Sequence, residues 1–382
     1  NGVVHNNVDL TGFEIEAVMP RSEKYTAGSR KPEVGAASLK EDAERRDINF
    51  NTLFKNLSTG EILDLTGKGI SDLKNRIIRT PLDPDITFKD DPLRMLRVCR
   101  FYAKYKYNIP LYILKAIKRN AHELKNISNE RIRDELNKML VTSSPQKVIK
   151  LLKVTTLLHQ VIPELIPAIR MTQNKHHNET VFNHILTVMK NTEPNLILRL
   201  QALFHDIGKT KTKSVINNEV HFYNHENVSA DMAYTIMTRL KYSNDVIDAV
   251  ICGIKNHMRL KSAGKTGDKM SDKSIRKVIV DLSDNIDTVL KLIHADNISH
   301  APQSSMPDQI PNIIKRIETL KITTPKKSEK LPITGVDLIK LGINPGPIFS
   351  TLLNLVKDKQ LDDPYTTKEQ YVDIIKQYLK NV

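Results

Sequence analysis

Leu196-Ile197-Leu198-Arg199-Leu200-Gln201-Ala202-Leu203-Phe204-His205-Asp206-Ile207-Gly208-Lys209 is the stretch that decides how the second half of the chain folds. Ile197, Leu198, Leu200, Ala202, Leu203 and Phe204 cover nearly every side of a helix, and a helix that is apolar all round is a buried one. It ends on His205-Asp206, two side chains that are costly to bury unless a cation compensates them. Gly208 reads as the helix stop. Lys209 follows within reach of a phosphate. His205, Asp206 and Lys209 are therefore the candidate catalytic group.

Nine of the twelve histidines fall between His176 and His300. Histidine is both a metal ligand and a titratable base, so this clustering points to a metal site. His184 sits on the helix before the quoted one, and Asp296 lies in His294-Ala295-Asp296-Asn297. With His205 and Asp206 they form the candidate ligand set. Phe222-Tyr223-Asn224-His225-Glu226 and Asn256-His257 add His225 and His257, enough for a second ion. The helical pattern runs from about 181 to 322. Residues 323–330 read as a polar linker, and the tail from Leu331 holds two or three short helices.

The chain has 382 residues, a length that allows about two or three domains. Lys and Arg number 58 against 44 Asp and Glu, a net charge of +14 that points to a polyanionic partner, most simply nucleic acid. Aromatics make up 5% with no Trp, which argues against a surface of many stacked bases. Two cysteines, Cys99 and Cys252, rule out a disulfide scaffold and a cysteine-rich zinc site. No apolar run approaches the ~18 residues of a membrane helix. With no charged-then-apolar leader at its start, a cytoplasmic protein is expected.

The first half reads differently. Val3-Val4 and Phe13–Met19 are strand material, residues 20–37 a loop, and helix dominates from Leu39 on, apart from a hairpin around Ser58-Thr59-Gly60. Ile77–Asp91 is expected to be a connector. Pro92–Leu140 is helical, broken near Pro110 and near 126–129, and 146–160 is a further amphipathic stretch. In Arg45-Arg46-Asp47 two adjacent guanidiniums can grip a triphosphate. Asp47 and Asn51 stand four apart, on one helix face, where one could hold a ribose hydroxyl. Asp91-Pro92-Leu93-Arg94 reads as a helix start, Asp91 as N-cap and Pro92 at the first turn. Arg94, Arg97 and Arg100 follow as a basic stripe. Asp91 and Arg94 together could present acceptors and donors to a base edge.

The order of these pieces resembles that of class II tRNA nucleotidyltransferases (CCA-adding enzymes) and bacterial poly(A) polymerases. Glu41–Asn51 resembles their Arg-Arg-Asp motif. Asp64, Gly69, Asp72-Leu73 and Arg79 resemble the next motif, Asp91–Arg97 the base-reading motif, and Ser128–Leu136 the neck motif. Glu16–Glu23 resembles the strand after the catalytic carboxylates. The series His184, His205-Asp206, Asp296 has the order of the HD superfamily. Glu164, His177 and Ile333–Leu338 also recur where an HD domain is fused to a CCA-adding enzyme.

The resemblance implies a mainly α chain: a partial α/β nucleotidyltransferase head (1–80), a helical neck and RNA-binding body (81–170), an all-α HD domain (171–322) and a helical tail (331–382). It implies that Arg45, Asp47, Asn51, Asp91, Arg94, Arg97 and Arg100 contact the incoming nucleotide. It implies an enzyme that adds CCA to a tRNA 3′ end from CTP and ATP, with Mg²⁺ in the head. The HD domain would hold a divalent transition metal and act as phosphatase and 2′,3′-cyclic phosphodiesterase. A poly(A) polymerase, or a non-catalytic RNA-binding protein, are the alternatives. The family's Gly-Gly loop and Asp-x-Asp metal pair are not found upstream of Glu16, and Asp9, Glu14 and Glu16 do not reproduce the pair. A start at Asn1 leads to the expectation that residues are missing upstream, and that the chain as given hydrolyses a terminal phosphate without adding nucleotides. Leu65 where the family has Pro, and Ile48-Asn49 where Phe-Thr is usual, are smaller departures.

Overall fold

A computed structural model describes residues 19–24, 33–173, 179–325 and 330–380. The strands expected before Met19, with Asp9, Glu14 and Glu16, lie outside the described residues, as do His176 and His177. Two compact units divide at residue 126.

In the first unit, β1 (Arg21–Lys24) pairs antiparallel with β2 (Glu33–Ala36), in register Arg21 to Ala36. This corrects the loop expected over 20–37. Antiparallel pairing is a backbone interaction and forms without the apolar alternation that marks a half-buried strand. Helix α1 (Leu39–Glu44) starts in a reciprocal capping box: the Glu41 N–H donates to Ser38 Oγ at 3.3 Å and the Ser38 N–H to Glu41 Oε2 at 2.8 Å. A 3₁₀ turn spans Asn49–Thr52, and the expected hairpin forms from β3 (Phe54–Lys55) and β4 (Ile62–Leu63). Helix α2 (Gly69–Asn75) opens on Asp64, whose carboxylate accepts the N–H groups of Gly69 (3.1 Å) and Ile70 (3.0 Å). A Cβ on Gly69 would lie 2.9 Å from the Asn49 carbonyl, so only glycine lets α2 approach the 3₁₀ turn this closely.

The expected connector contains a helix, α3 (Pro84–Asp90). Its signal was local: Asp83 accepts the Asp85 N–H at 2.8 Å, and Pro84 takes the first position, where its missing N–H costs nothing. Helix α4 (Leu93–Tyr105) begins with Pro92, not Asp91, in the cap position, although Asp91 Oδ1 accepts the Leu93 N–H at 3.1 Å. Helix α5 (Leu111–Asn120) follows the break at Pro110.

The second unit runs through α6 (Asn129–Leu140), α7 (Pro145–Val154), α8 (Leu158–Val161), α9 (Val181–Lys190), α10 (Leu196–Phe204) and α11 (Lys209–Thr212). After a short hairpin come α12 (His225–Arg239), α13 (Asn244–Asn256), α14 (Asp272–Leu282), α15 (Ile286–Asn297) and α16 (Gln309–Lys321). The tail is α17 (Gly335–Lys340), α18 (Pro347–Asp362) and α19 (Lys368–Lys380), with its own small core of Ile333, Leu338, Leu352, Val356, Tyr371 and Ile375. Helix α10 is the buried centre: Leu198, Leu200, Ala202, Leu203 and Phe204 are enclosed by α9, α12, α13 and α15. The hairpin, β5 (Ser214–Ile216) and β6 (Glu219–His221), stands where sequence reading placed unbroken helix. Its signal was Asn217-Asn218, both at positive φ, a pairing that suits a two-residue turn of strand-matched twist. Among the described residues no helix is long and apolar enough to cross a membrane.

Candidate active site

Five helices of the second unit converge on one point. His205 and Asp206 leave the C-terminus of α10, His257 caps α13, His225 opens α12, His184 comes from the first turn of α9 and Asp296 from the last turn of α15. Helix ends leave carbonyls without intrahelical partners, and the histidines use them. His205 Nδ1 donates to the Ala202 carbonyl (2.9 Å), His257 Nδ1 to Ile254 (2.7 Å), and His225 Nδ1 to Phe222 (2.8 Å). Each ring is thereby fixed in one tautomer with Nε2 aimed into the site, the arrangement of a metal-ligating histidine.

Two groups result. His184, His205 and Asp296 form one, and Asp206, His225 and His257 the other; within each, one ligand atom per residue lies within 4.8 Å of the others. Asp206 joins them. Its Oδ2 is 3.5 Å from His184 Nε2 and 3.3 Å from His205 Nε2, while Oδ1 is 3.3 Å from His225 Nε2 and 3.7 Å from His257 Nε2. His184 Nε2 is 2.9 Å from Asp296 Oδ1.

The donor set fits a cation. His205 Nε2 is buried and makes no hydrogen bond. His225 Nε2 and His257 Nε2 face each other at 3.3 Å, and with both Nδ1 atoms held on backbone carbonyls the two Nε2 atoms are the ones turned toward a shared ligand position. A positive ion between them would satisfy both. Burial, reinforced by the nearby His205, pushes the His257 imidazole down to about 3, so it stands neutral and ready to ligate. Burial opposes the charge on Asp206, but Lys209 and His205 outweigh it and hold the carboxyl well below the usual range. Asp296 behaves alike, with Lys261 as the main counter-charge. For His205 burial also works against the charge, and Asp206 and Asp296 reverse it and raise the pKa.

Lys209 is where the sequence placed it, but it is buried, donating to Asp206 Oδ2 at 2.7 Å and to Gln173 Oε1 at 2.9 Å. Two participants were missed. Lys261 Nζ lies 3.1 Å from Asp296 Oδ2, and His300 Nδ1 donates to the Asp296 carbonyl at 2.7 Å. Only the distribution of histidines hinted at His300, and nothing in the sequence hinted at Lys261. Gly208 is no left-handed helix stop. Its φ is −64°, and its role is close approach: a Cβ there would sit 2.5 Å from the His225 carbonyl and from the Ser229 nitrogen. The missing side chain is what lets α12 bring His225 up to Asp206. A cleft of about 490 Å³ opens onto these residues.

In the first unit the nucleotide candidates are knit together. Arg45 and Arg46 grip one carboxylate, that of Asp42, at 2.5 and 2.9 Å, a residue the sequence reading did not single out. Asp47 lies beyond α1, so no shared helix joins it to Asn51, yet Asn51 Nδ2 donates to Asp47 Oδ1 at 3.2 Å. Arg97 Nε donates to Asp47 Oδ2 at 2.7 Å, across 50 residues of sequence. The expected basic stripe is not an open one: Arg94 is buried, its Nη1 donating to the Thr87 carbonyl at 3.1 Å, and the Arg100 guanidinium lies 4.2 Å from the Phe101 ring centroid. Glu164 forms a bidentate pair with Arg239, both contacts 2.9 Å, which ties the α8 turn to α12.

Comparison with known proteins finds three family models along the chain. The family model of the poly(A) polymerase head domain matches residues 2–79, that of the "Probable RNA and SrmB- binding site of polymerase A" residues 107–169, and that of the HD domain residues 176–289. The chain is 40% identical over 147 residues to the mitochondrial CCA tRNA nucleotidyltransferase of Saccharomyces cerevisiae, covering 38% of this chain and 27% of that protein. It is 30% identical to the multifunctional CCA protein of Azoarcus sp., covering 65% of this chain and 61% of that one. It is 26% identical to the A-adding tRNA nucleotidyltransferase of Deinococcus radiodurans, covering 87% and 78%. The chain thus spans less than a third of the yeast relative's length. Its fold is that of the Bacillus stearothermophilus CCA-adding enzyme solved with CTP, with TM-score 0.65, 18% identity, and coverage of 91% of this chain and 78% of that one. The chain thus carries, in this order, a match to the poly(A) polymerase head domain, a match to the RNA-binding region of polymerase A and a match to the HD domain, and its relatives include CCA tRNA nucleotidyltransferases.

Proposed function

We propose that this chain serves tRNA 3′-end maturation and repair, its second unit removing a terminal phosphate or opening a 2′,3′-cyclic phosphate and its first unit belonging to CCA addition from CTP and ATP. The observation that carries the hydrolytic half is Asp206, whose two oxygens face two separate histidine groups. His184, His205 and Asp296 would hold one divalent transition ion, and Asp206, His225 and His257 a second. Such ions polarise a phosphoryl oxygen and make a bound water more acidic. The chain's own residues supply the rest. The carbonyl-anchored histidines keep Nε2 pointed inward, and the buried Lys209 and the half-buried Lys261 balance the charge of Asp206 and Asp296. In hydrolysis of a 3′ phosphate, the oxygen of water bonds to phosphorus, the bond from phosphorus to O3′ breaks, and O3′ leaves with a proton. In opening a cyclic phosphate one of two ester bonds breaks and a monoester stays.

The names of the yeast and Azoarcus relatives support CCA addition over poly(A) synthesis for the head. For it we propose nucleotide contacts at Arg45, Asp47, Asn51, Asp91, Arg94, Arg97 and Arg100. The test uses a tRNA-like RNA ending in a 3′ phosphate, following phosphate release with Mn²⁺ or Ni²⁺ and extension with CTP and ATP. Release that EDTA stops is the expected result for the second unit. No release with any divalent ion would overturn the hydrolytic reading, and terminal transfer of A alone, repeated without limit, would replace CCA addition by poly(A) synthesis.

Arg94→Ala is expected to bring the Kd values for CTP, ATP, GTP and UTP together, because a bidentate base contact carries about 1–3 kcal/mol of discrimination. The same guanidinium holds the Thr87 carbonyl, so the variant also loses some stability. Unchanged ratios among the four triphosphates would leave Arg94 a purely structural residue.

A further inference from the structure

The hairpin the sequence did not announce ends in two stacked rings. His221 closes β6, and Tyr223, two residues on, lies parallel to it, with ring centroids 5.1 Å apart and 7° between the planes. Phe222 between them turns inward and is buried, with Lys209 Nζ 5.5 Å from its ring centroid. Tyr223 is 65% exposed. A large ring held flat by a partner beneath it, with its outer face in water, is a surface prepared for a third ring. Both rings line the same cleft as Asp206, His257 and Asp296. The spacing is short. Asn224, at φ +59°, turns the chain directly from Tyr223 into His225, whose Nε2 belongs to the second histidine group. Met258 and Met306 line the cleft as well, and thioethers are favourable neighbours for an aromatic ring.

We infer that the His221–Tyr223 stack is a base platform that seats the terminal nucleoside while its phosphate lies at the histidine groups, so that the second unit selects nucleotide phosphates over other phosphate esters. This rests on the hydrolytic reading above for the fate of the phosphate, but not for the seating of the base. Every base has a π-face, so the platform accepts any of the four. The same chemistry is offered by a free nucleoside 3′-monophosphate and by the last residue of an RNA.

The test measures binding and turnover separately on the full chain. Calorimetry without added metal compares adenosine 3′-monophosphate, a short RNA ending in a 3′ phosphate, and glycerol 2-phosphate. Phosphate release with Mn²⁺ is followed on the same three. Tyr223→Ala is expected to reduce selectivity for adenosine 3′-monophosphate over glycerol 2-phosphate about tenfold in both Kd and KM. Tyr223→Phe and Tyr223→Trp, which keep a ring, are expected to restore it. If only the RNA loses affinity in Tyr223→Ala, the platform serves an RNA end; if both lose it equally, a free nucleotide suffices. Selectivity for both nucleotide ligands over glycerol 2-phosphate unchanged in Tyr223→Ala, or no binding of either nucleotide ligand to the unmutated chain, overturns the inference. Nucleotide binding with no phosphate release under any divalent ion overturns the hydrolytic reading instead.

Discussion

Replacing Asp206 by Ala is expected to remove both metal sites at once and to lower phosphate release by about 10³-fold or more, since metal-ion charge stabilisation is worth several kcal/mol. The cause is its position as the shared member, with one oxygen toward His184 and His205 and the other toward His225 and His257. The variant is also expected to lose stability without metal. Asp206 is 2% exposed and its carboxylate is the main counter-charge to Lys209, itself buried. Removing one member of a buried ion pair costs about 3–5 kcal/mol, because the other charge is left in place. Asp206→Asn separates the two effects. It keeps an acceptor for Lys209, so denaturation should move less than in the Ala variant, while metal content measured by atomic emission should fall as far. Full metal content with normal turnover in Asp206→Ala would mean that the two groups bind no catalytic ion.

Asp72→Ala is expected to be the most damaging single change in the first unit. Asp72 is fully buried in α2, accepting from Arg79 Nε at 2.8 Å and from Asn49 Nδ2 at 2.7 Å. The bond from Arg79 is strong enough to raise the guanidinium pKa, against the opposing effect of burial. The Asn49 N–H in turn donates to the Arg79 carbonyl at 2.8 Å. One carboxylate therefore ties α2 both to the 3₁₀ turn after Asp47 and to the chain leaving the helix. Because about a third of the Arg79 side chain is exposed, water recovers part of the loss. The expected cost is about 2–4 kcal/mol, near the lower part of the range for broken buried pairs. Urea denaturation of the full chain should show a destabilised early transition, and Asp72→Asn should recover part of it. Equal midpoints for the Ala variant and the unmutated chain would show that the pair contributes nothing net.

The elements announced by local chemistry are those the sequence made plain. The all-round apolar surface of Leu198–Phe204 can be satisfied only by burial, and burial of α10 forces a helical surround. The breaks before Leu111 and Asn129 and the hairpin at Gly60 follow from residues that act within a few positions of themselves. His184, His205, Asp206 and Asp296 stood out as candidates by their order, and His225 and His257 by residue type, because few side chains serve as metal ligands; the structure brings the six into two adjoining groups. What spacing could not encode is who faces whom. His184 meets Asp296 across 112 residues and Arg97 meets Asp47 across 50, and such pairs are set by how helices pack. For the same reason Lys261 beside Asp296 belongs to the tertiary structure alone, whereas Asp42 reaches Arg45 and Arg46 across the local spacing of one helical turn. Gly208 shows the division within one residue. Its lack of a side chain is written in the sequence, but its use, a backbone approach that brings His225 to Asp206, exists only once α10 and α12 have packed.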